Sequence, residues 1–272
     1  MKTKLFTLAL AALTIGLLGS CKKDEGPESP KLPEGALSGV FTVNAEGKKV
    51  HFSKGNLVAT IDASGAPTAW KFAANQYDCL GEGGANKTIG ATAGDIDLFG
   101  WSTASTTYGI SKSTSGGDYS GEFIDWGKTV DDKNTWATLS KDEWTYLINN
   151  DGDENTRKGK YKFEVTVCEK ANCLILVPDE CLNGYSFDNT KTSYSVGEWA
   201  TAEAAGLVCL PASGVRYGSD VFYAGVQGYS WSSSASSSDY AYRLDFGGGD
   251  IIPDVGGYRS EGYSVRLITE VK

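Results

Sequence analysis

The stretch AYRLDFGGGDIIPDVGGYRSEGYSVRLI, from Ala241 to Ile268, decides how the C-terminal quarter of the chain is read. Its two ends, AYRLDF and YSVRLI, alternate apolar and polar residues, the period-2 pattern of half-buried strands. Between them, GGGDIIPDVGGYRSEG holds six glycines and shows no periodicity, yet it carries Ile251, Ile252 and Tyr258. A flexible linker has no use for such large apolar groups, and a packed core does not accept so much glycine. The stretch reads as a display loop between two core strands.

Its surroundings share that character. The 48 residues from Tyr217 to Ser264 contain ten Ser, nine Gly, seven Tyr and five Asp. No Lys lies between Lys191 and Lys272, and no Asn follows Asn189. Tyr supplies rigid contact area at low entropy cost, while Ser and Gly supply adaptable hydrogen bonding, the composition of antibody binding loops. Trp231, Leu244, Phe246, Val265 and Leu267 are the expected scaffold, and loops at about 215–266 the expected binding face. The candidate ligand-binding residues are Tyr217, Asp220, Tyr223, Asp239, Tyr240, Tyr242, Asp245, Asp250, Ile252, Asp254, Tyr258 and Glu261, with tyrosines as anchors and acids as hydrogen-bond acceptors. A plain Gly/Ser-rich loop set with a few structural tyrosines is the bland alternative.

At the other end, Met1-Lys2-Thr3-Lys4 is a short cationic region and Leu5 to Leu18 an apolar run. That run has the length of a signal-peptide core and is too short to span a membrane. It ends in Leu18-Gly19-Ser20-Cys21, which resembles a bacterial lipobox, so residues 1–20 are expected to be removed and Cys21 lipidated. Stable anchoring then takes two or more acyl chains. Residues 21–35 (CKKDEGPESPKLPEG) form a polar tether, and the Lys-Asp-Glu run behind the cysteine looks like an export signal to the outer face of an outer membrane. Without residues 1–20 the chain keeps 23 Lys and Arg against 34 acids, a balance of −11 with no basic cluster in sequence, which argues against nucleic acid.

Residues 36–272 suffice for a single domain with a real core. VFTVNAEGKKVHF and LVATIDASGAPTAWKFA read as two hairpins, while residues 75–127 are rich in loop residues. Ser140-Lys141-Asp142-Glu143 and Ser195-Val196-Gly197-Glu198 are capping boxes ahead of apolar residues at one-face spacing, and Gly206 stops the second helix. LVCLP, YSW, AYRLDF and YSVRLI follow as strands. The expected class is α+β: mostly antiparallel strands, two short helices and long loops. Loops of this length are expected to be functional.

The chemistry of catalysis is not advertised. His51 is the single histidine and sits in a strand pattern, so neither a histidine metal site nor a Ser-His-Asp triad has independent support. Asp151 to Lys162 begins like a calcium loop but has Thr156 where glycine is required and Lys162 where glutamate is required. Gly247-Gly248-Gly249-Asp250 lies between strands, which does not fit phosphate cradling. Paired acids for glycoside hydrolysis are not singled out by any spacing. No metal and no cofactor are expected. Besides Cys21 there are five cysteines: a Cys168–Cys173 disulfide is geometrically open, Cys79, Cys181 and Cys209 have no assignable partner, and an odd number leaves one unpaired.

VHFSKGNL, WKFAANQYD, DLFGW, WATLSKDEWTYLIN, AAGLVCLPASGVR, YSWSSS and YSVRLI occur in that order across residues 38–272. The series resembles Bacteroidetes surface lipoproteins of the Fibrobacter succinogenes major paralogous domain type. That family is similar to the C-type-lectin-like fold of formylglycine-generating enzymes and of the variable proteins of diversity-generating retroelements. The resemblance implies a lipid-anchored, surface-exposed outer-membrane protein whose C-terminal loops bind a protein or glycan on another cell, a phage or a host, without catalysis. In the retroelement systems asparagine codons are randomised toward Gly, Asp, Ser, Tyr, Val, Ile, Ala and a few others, the residues that predominate in RYGSDVFYAG, SSASSSDYAY, GGGDIIPD and VGGYRSEG here. The active-site cysteine pair of the formylglycine-generating enzymes has no counterpart after Cys209, and the Glu-Pro-Asn and Trp-Asn-Asp signatures of calcium-dependent lectins are missing. Two other classes compete: an enzyme of the sulfatase-modifying or hydrolase type, and a structural outer-membrane lipoprotein without a specific ligand.

Overall fold

A computed structural model describes residues 32–131, 133–148 and 160–272. The expectations for residues 1–31, including Cys21, and for the calcium-like loop from Asp151 fall outside the described residues, apart from residues 32–35 of the tether and the end of that loop.

In chain order the strands are β1 (Phe41–Thr42), β2 (Lys49–Phe52), β3 (Leu57–Ile61), β4 (Pro67–Phe72), β5 (Gly94–Ile96), β6 (Ala137–Thr138), β7 (Tyr161–Val167) and β8 (Lys170–Leu176). They continue as β9 (Ser193–Tyr194), β10 (Val208–Leu210), β11 (Val215–Tyr217), β12 (Asp220–Phe222), β13 (Gly228–Ala235), β14 (Tyr240–Gly247), β15 (Asp250–Tyr258) and β16 (Leu267–Glu270). Two helices, α1 (Lys141–Ile148) and α2 (Val196–Ala204), complete the described elements beside short 3-10 turns. The class is α+β with mostly antiparallel pairing; β7 with β9 is the one parallel strand pair among the described residues.

Local chemistry sets these elements. Both hairpins expected near the start form, β1 with β2 and β3 with β4. At α2 the Ser195 side chain accepts from Glu198 N while Glu198 Oε2 accepts from Ser195 N at 2.8 Å. At α1 Glu143 Oε2 accepts from Ser140 N at 2.7 Å and Ser140 Oγ from Glu143 N at 3.2 Å. These reciprocal bonds satisfy amides that a helix start leaves orphaned. Trp144 and Leu147 of α1 pack with Phe41, Phe52, Leu244 and Phe246. Trp199 and Ala202 of α2 pack with Ile175 and Cys209 of the sheet β10-β8-β7-β9.

The C-terminal strand signal needs refinement. YSVRLI is a strand only from Leu267; residues 263–266 pass through the interior as single bridges to Phe99 and Ser230. Arg266, 1% exposed, donates there to Asn56 Oδ1, Ser53 O, Gln76 O and Cys209 O at 2.8–3.1 Å. The stretch expected to be a loop is the larger correction. Asp250 to Tyr258 is a nine-residue strand, paired from Gly247↔Asp250 to Tyr240↔Tyr258. Cys168 and Cys173 are free thiols: Cys168 and Glu169 make the turn, at φ 48° and 69°, and Cys173 lies opposite Val165 on the partner strand.

Candidate functional site

The sheet β13-β14-β15 carries most of the candidate residues. Side chains alternate across a strand, so register sorts the candidates onto two faces. Leu244, Phe246 and Ile251 pack with α1 in the core. Tyr240 and Tyr242 share their side of β14, and Tyr258 and Asp254 share the matching side of β15. Asp245 and Ile252, directly opposite each other, lie on the reverse face with Arg243.

On the first face the Tyr240 and Tyr258 rings stack with centroids 4.4 Å apart. A hydrogen bond to Tyr258 pushes the Tyr240 phenol up to about 12. Lys141, the first residue of α1, places its ammonium 5.3 Å from the Tyr242 ring centre. The paired Asp142 holds Lys141 above its usual range, with smaller contributions from Asp254 and Tyr242. Asp239 is exposed at the entry to β14, and its carbonyl accepts from Arg259 N at 2.9 Å. The Arg259 guanidinium stacks 4.2 Å from the Trp101 ring centre and donates to Ser237 O. This rim is pinned from below.

On the reverse face Arg243 lies over the rings of Tyr263 and Tyr229, at 4.7 and 5.2 Å, and donates to Asp245 Oδ2 at 3.4 Å. Burial is the main reason the Asp245 carboxyl titrates above its ordinary value. Tyr229 donates to Gln227 Oε1 at 2.6 Å, and burial pushes its phenol up to about 12. Glu261 Oε2 accepts from Tyr263 OH at 2.6 Å and from Tyr258 N at 2.9 Å. Asp245 and Glu261 are therefore internal partners more than free acceptors. The bridge between Arg216 and Gly262 sets β11 beside this face, so that Tyr217 stands opposite Glu261. Tyr217 and Asp220 close the β11–β12 hairpin, and Tyr223, at φ 59°, follows it. Asp250 is exposed at the start of β15, where its own carboxylate accepts from Ile251 N.

Exposure concentrates here. Among the described residues, six of the ten exposed large apolar side chains are Tyr217, Phe222, Tyr223, Val226, Ile252 and Tyr258. Phe222, Val226, Arg243, Tyr229, Tyr263 and Lys141 were not among the sequence candidates. Arg243 had a usable signal, since it sits two residues before Asp245 and must share its face. Lys141 had none, because only the packing of α1 brings it to β14.

A separate cleft of about 440 Å³ is lined by Lys71, Asp78, Cys79, Asp95 and Asp97 with apolar walls from Val58 and Phe72. Its buried acid is engaged: Asp97 accepts from Leu80 N and from Asn86 Nδ2, each at 2.7 Å, and burial raises its pKa. Asp95 is paired with Lys71 at 2.6 Å, and burial pushes the Cys79 thiol up to about 12. These groups clasp the loop around residues 80–86 to β5. Among the described residues no group of three His, Cys, Asp or Glu side chains is placed to hold a metal.

No protein-family model, no curated protein and no solved structure matches the chain.

Proposed function

We propose that the chain is a surface lipoprotein, anchored through Cys21 in an outer membrane, whose C-type-lectin-like domain binds a protein or glycan on another cell, a phage or a host. The observation that carries this reading is the concentration of exposed aromatic and aliphatic groups between 217 and 258, on β11, β12 and β15 and in the turn at 223–226. Monomeric proteins rarely gather exposed apolar surface without an interaction to serve. Aromatic anchors fixed by strand pairing lose little entropy on binding. Catalysis plays no part in this reading: in the 440 Å³ cleft Asp97 is taken up by hydrogen bonds from Leu80 N and Asn86 Nδ2, and burial holds the Cys79 thiol up to about 12.

The test replaces Tyr240, Tyr242 and Tyr258 together by Ala and measures binding to a cell-surface extract and to a glycan array. Loss of a saturable interaction supports the reading, and unchanged binding removes this face from it. Diversification of the face has its own test in the flanking DNA: a near-repeat of the codons for 215–266, differing only at adenines, beside a reverse-transcriptase gene.

A further inference from the structure

A second feature lies where the described fold begins. An open cleft of about 690 Å³ has Pro33, Glu34 and Gly35 along one wall and the side chains of Lys54, Lys71, Lys133 and Lys272 around it. Phe72 and Trp136, packed edge to face at 4.8 Å, form its apolar part. The Lys54 amide donates to Gly35 O at 2.7 Å, which fixes this lysine beside the start of the folded unit. Lys71 is neutralised by Asp95. Lys54, Lys133 and Lys272 form no ion pair with any described residue. Two acids also line the cleft, Glu34 and Asp131; Asp131 is turned to its own loop, accepting from Lys133 N at 3.0 Å and Thr135 N at 3.3 Å.

Three ammonium groups without an ion pair among the described residues outnumber the two acids of the lining, Glu34 and Asp131, and a bound anion relieves the remaining repulsion. The arrangement stands out because the whole chain is at −9. Compact, strongly hydrated ammonium groups suit phosphate oxygens as point charges.

We infer that this cleft binds phosphate groups of lipid headgroups and so seats the root of the domain on the membrane that carries it. The inference rests on the anchor at Cys21 proposed above. Ten residues lie between Cys21 and Leu32, so these eleven steps of chain reach at most about 40 Å at roughly 3.3–3.6 Å per residue. Pro33 to Gly35, the next residues, are a wall of the cleft, so an anchored domain has the lysines within reach of the headgroups. Phe72 meets the apolar edge of that layer. A lysine near an anionic bilayer contributes about a fivefold gain in partitioning, hence about a hundredfold for three. Seating this end leaves the tyrosine-rich strands at 215–258, none of which line the cleft, free to meet a ligand.

The experiment uses the mature chain, residues 21–272, carrying Cys21→Ser, which has neither an acyl group nor the apolar run at 5–18, and measures sedimentation with vesicles. Vesicles containing phosphatidylglycerol are expected to bind it and phosphatidylcholine vesicles to leave it in solution, with binding lost at high salt. The triple variant Lys54→Gln, Lys133→Gln, Lys272→Gln should lose about a hundredfold in partitioning. The charge-matched Lys87→Gln, Lys112→Gln, Lys170→Gln, at exposed sites outside the cleft, should stay within about twofold, both variants keeping the wild-type circular dichroism. Equal binding by the two triple variants overturns the inference, as does equal binding to both kinds of vesicle. Displacement by millimolar inorganic phosphate at constant ionic strength assigns the cleft to a soluble phosphate and overturns the membrane source. The anchor is checked apart from all this, by mass spectrometry of Cys21 in the wild-type mature chain. A chain that lacks acyl groups yet still discriminates the vesicles keeps the cleft and loses the anchor.

Discussion

Tyr240 and Tyr258 face each other across β14 and β15, with ring planes 35° apart and the Tyr258 side chain half exposed. Their contact ties the start of β14 to the end of β15 in one rigid platform. The hydrogen bond between the phenols holds the Tyr240 proton up to about 12. Tyr258→Phe removes that bond, so a difference absorbance titration should show one phenol moving down toward its ordinary value of about 10. Tyr258→Ala should shift the melting temperature by no more than about 4 °C, as expected for one cross-strand pair in a domain of this size. A collapse of the fold in Tyr258→Ala would make the pair structural and not a contact platform.

Arg266 is the opposite kind of residue. Its guanidinium is fully buried without a carboxylate and ties the 53–56 turn, Gln76 and β10 to the C-terminal segment. Burial lowers its pKa to about 10, and the four neutral acceptors are what keep the cation inside. Arg266→Met strands those acceptors at about 1–3 kcal/mol each, so urea denaturation should show a loss above about 3 kcal/mol. Arg266→Lys should recover only part of it, since one ammonium cannot reproduce the planar fork. A lysine variant as stable as wild type would sink this account.

The tyrosine pair and Arg266 mark what the sequence disclosed and what it hid. The early hairpins and both capping boxes were legible because their causes are local: turn residues between alternating strands, and Ser three residues before Glu. Strand β15 was hidden because its pattern is set by its neighbours. Gly257 is there to make room, since a Cβ would stand 2.3 Å from Arg243 Nη1. Gly247, Gly248 and Gly249, all at positive φ, make the turn that returns the chain onto β14. Six glycines in one stretch therefore mixed a turn, a packing gap and a strand, and only pairing separates them. The division of the twelve candidates between two faces was hidden for the same reason, because it follows from register. Arg266 reads in sequence as the polar residue of a half-buried strand, and nothing local announces that its segment runs through the interior.

The cysteines allow a direct chemical check. Cys173 and Cys209 are completely buried, and burial raises the Cys209 pKa far above the ordinary thiol value. Cys168 is partly exposed at the β7–β8 turn. Alkylation of the native protein followed by peptide mapping should leave Cys173 and Cys209 unmodified until denaturant is added. The non-reduced mass should show no Cys168–Cys173 bridge, and reductant should leave the melting temperature unchanged. A bridged peptide would mean that the β7–β8 hairpin differs from the one described.

The start of α2 predicts a specific response to acid. Glu198 accepts from Lys191 Nζ at 2.8 Å and from both the amide and the hydroxyl of Ser195. These contacts, with the Lys191 bond foremost, lower its pKa from 4.5 to about 2. A carboxylate whose folded pKa is depressed binds fewer protons in the native state than in the unfolded chain. Its contribution is therefore complete above pH 4.5 and fades as the pH falls toward 2. Glu198→Gln should be less stable than wild type at neutral pH, and the two curves should converge as the pH falls through that window. Ser195→Ala removes the other half of the box and should also lower stability at neutral pH. Its deficit should shrink over the same window, because the hydroxyl's bond to the carboxylate disappears on protonation. Parallel curves for wild type and Glu198→Gln between pH 5 and pH 2 would show that the Lys191–Glu198–Ser195 group contributes nothing to α2 in solution.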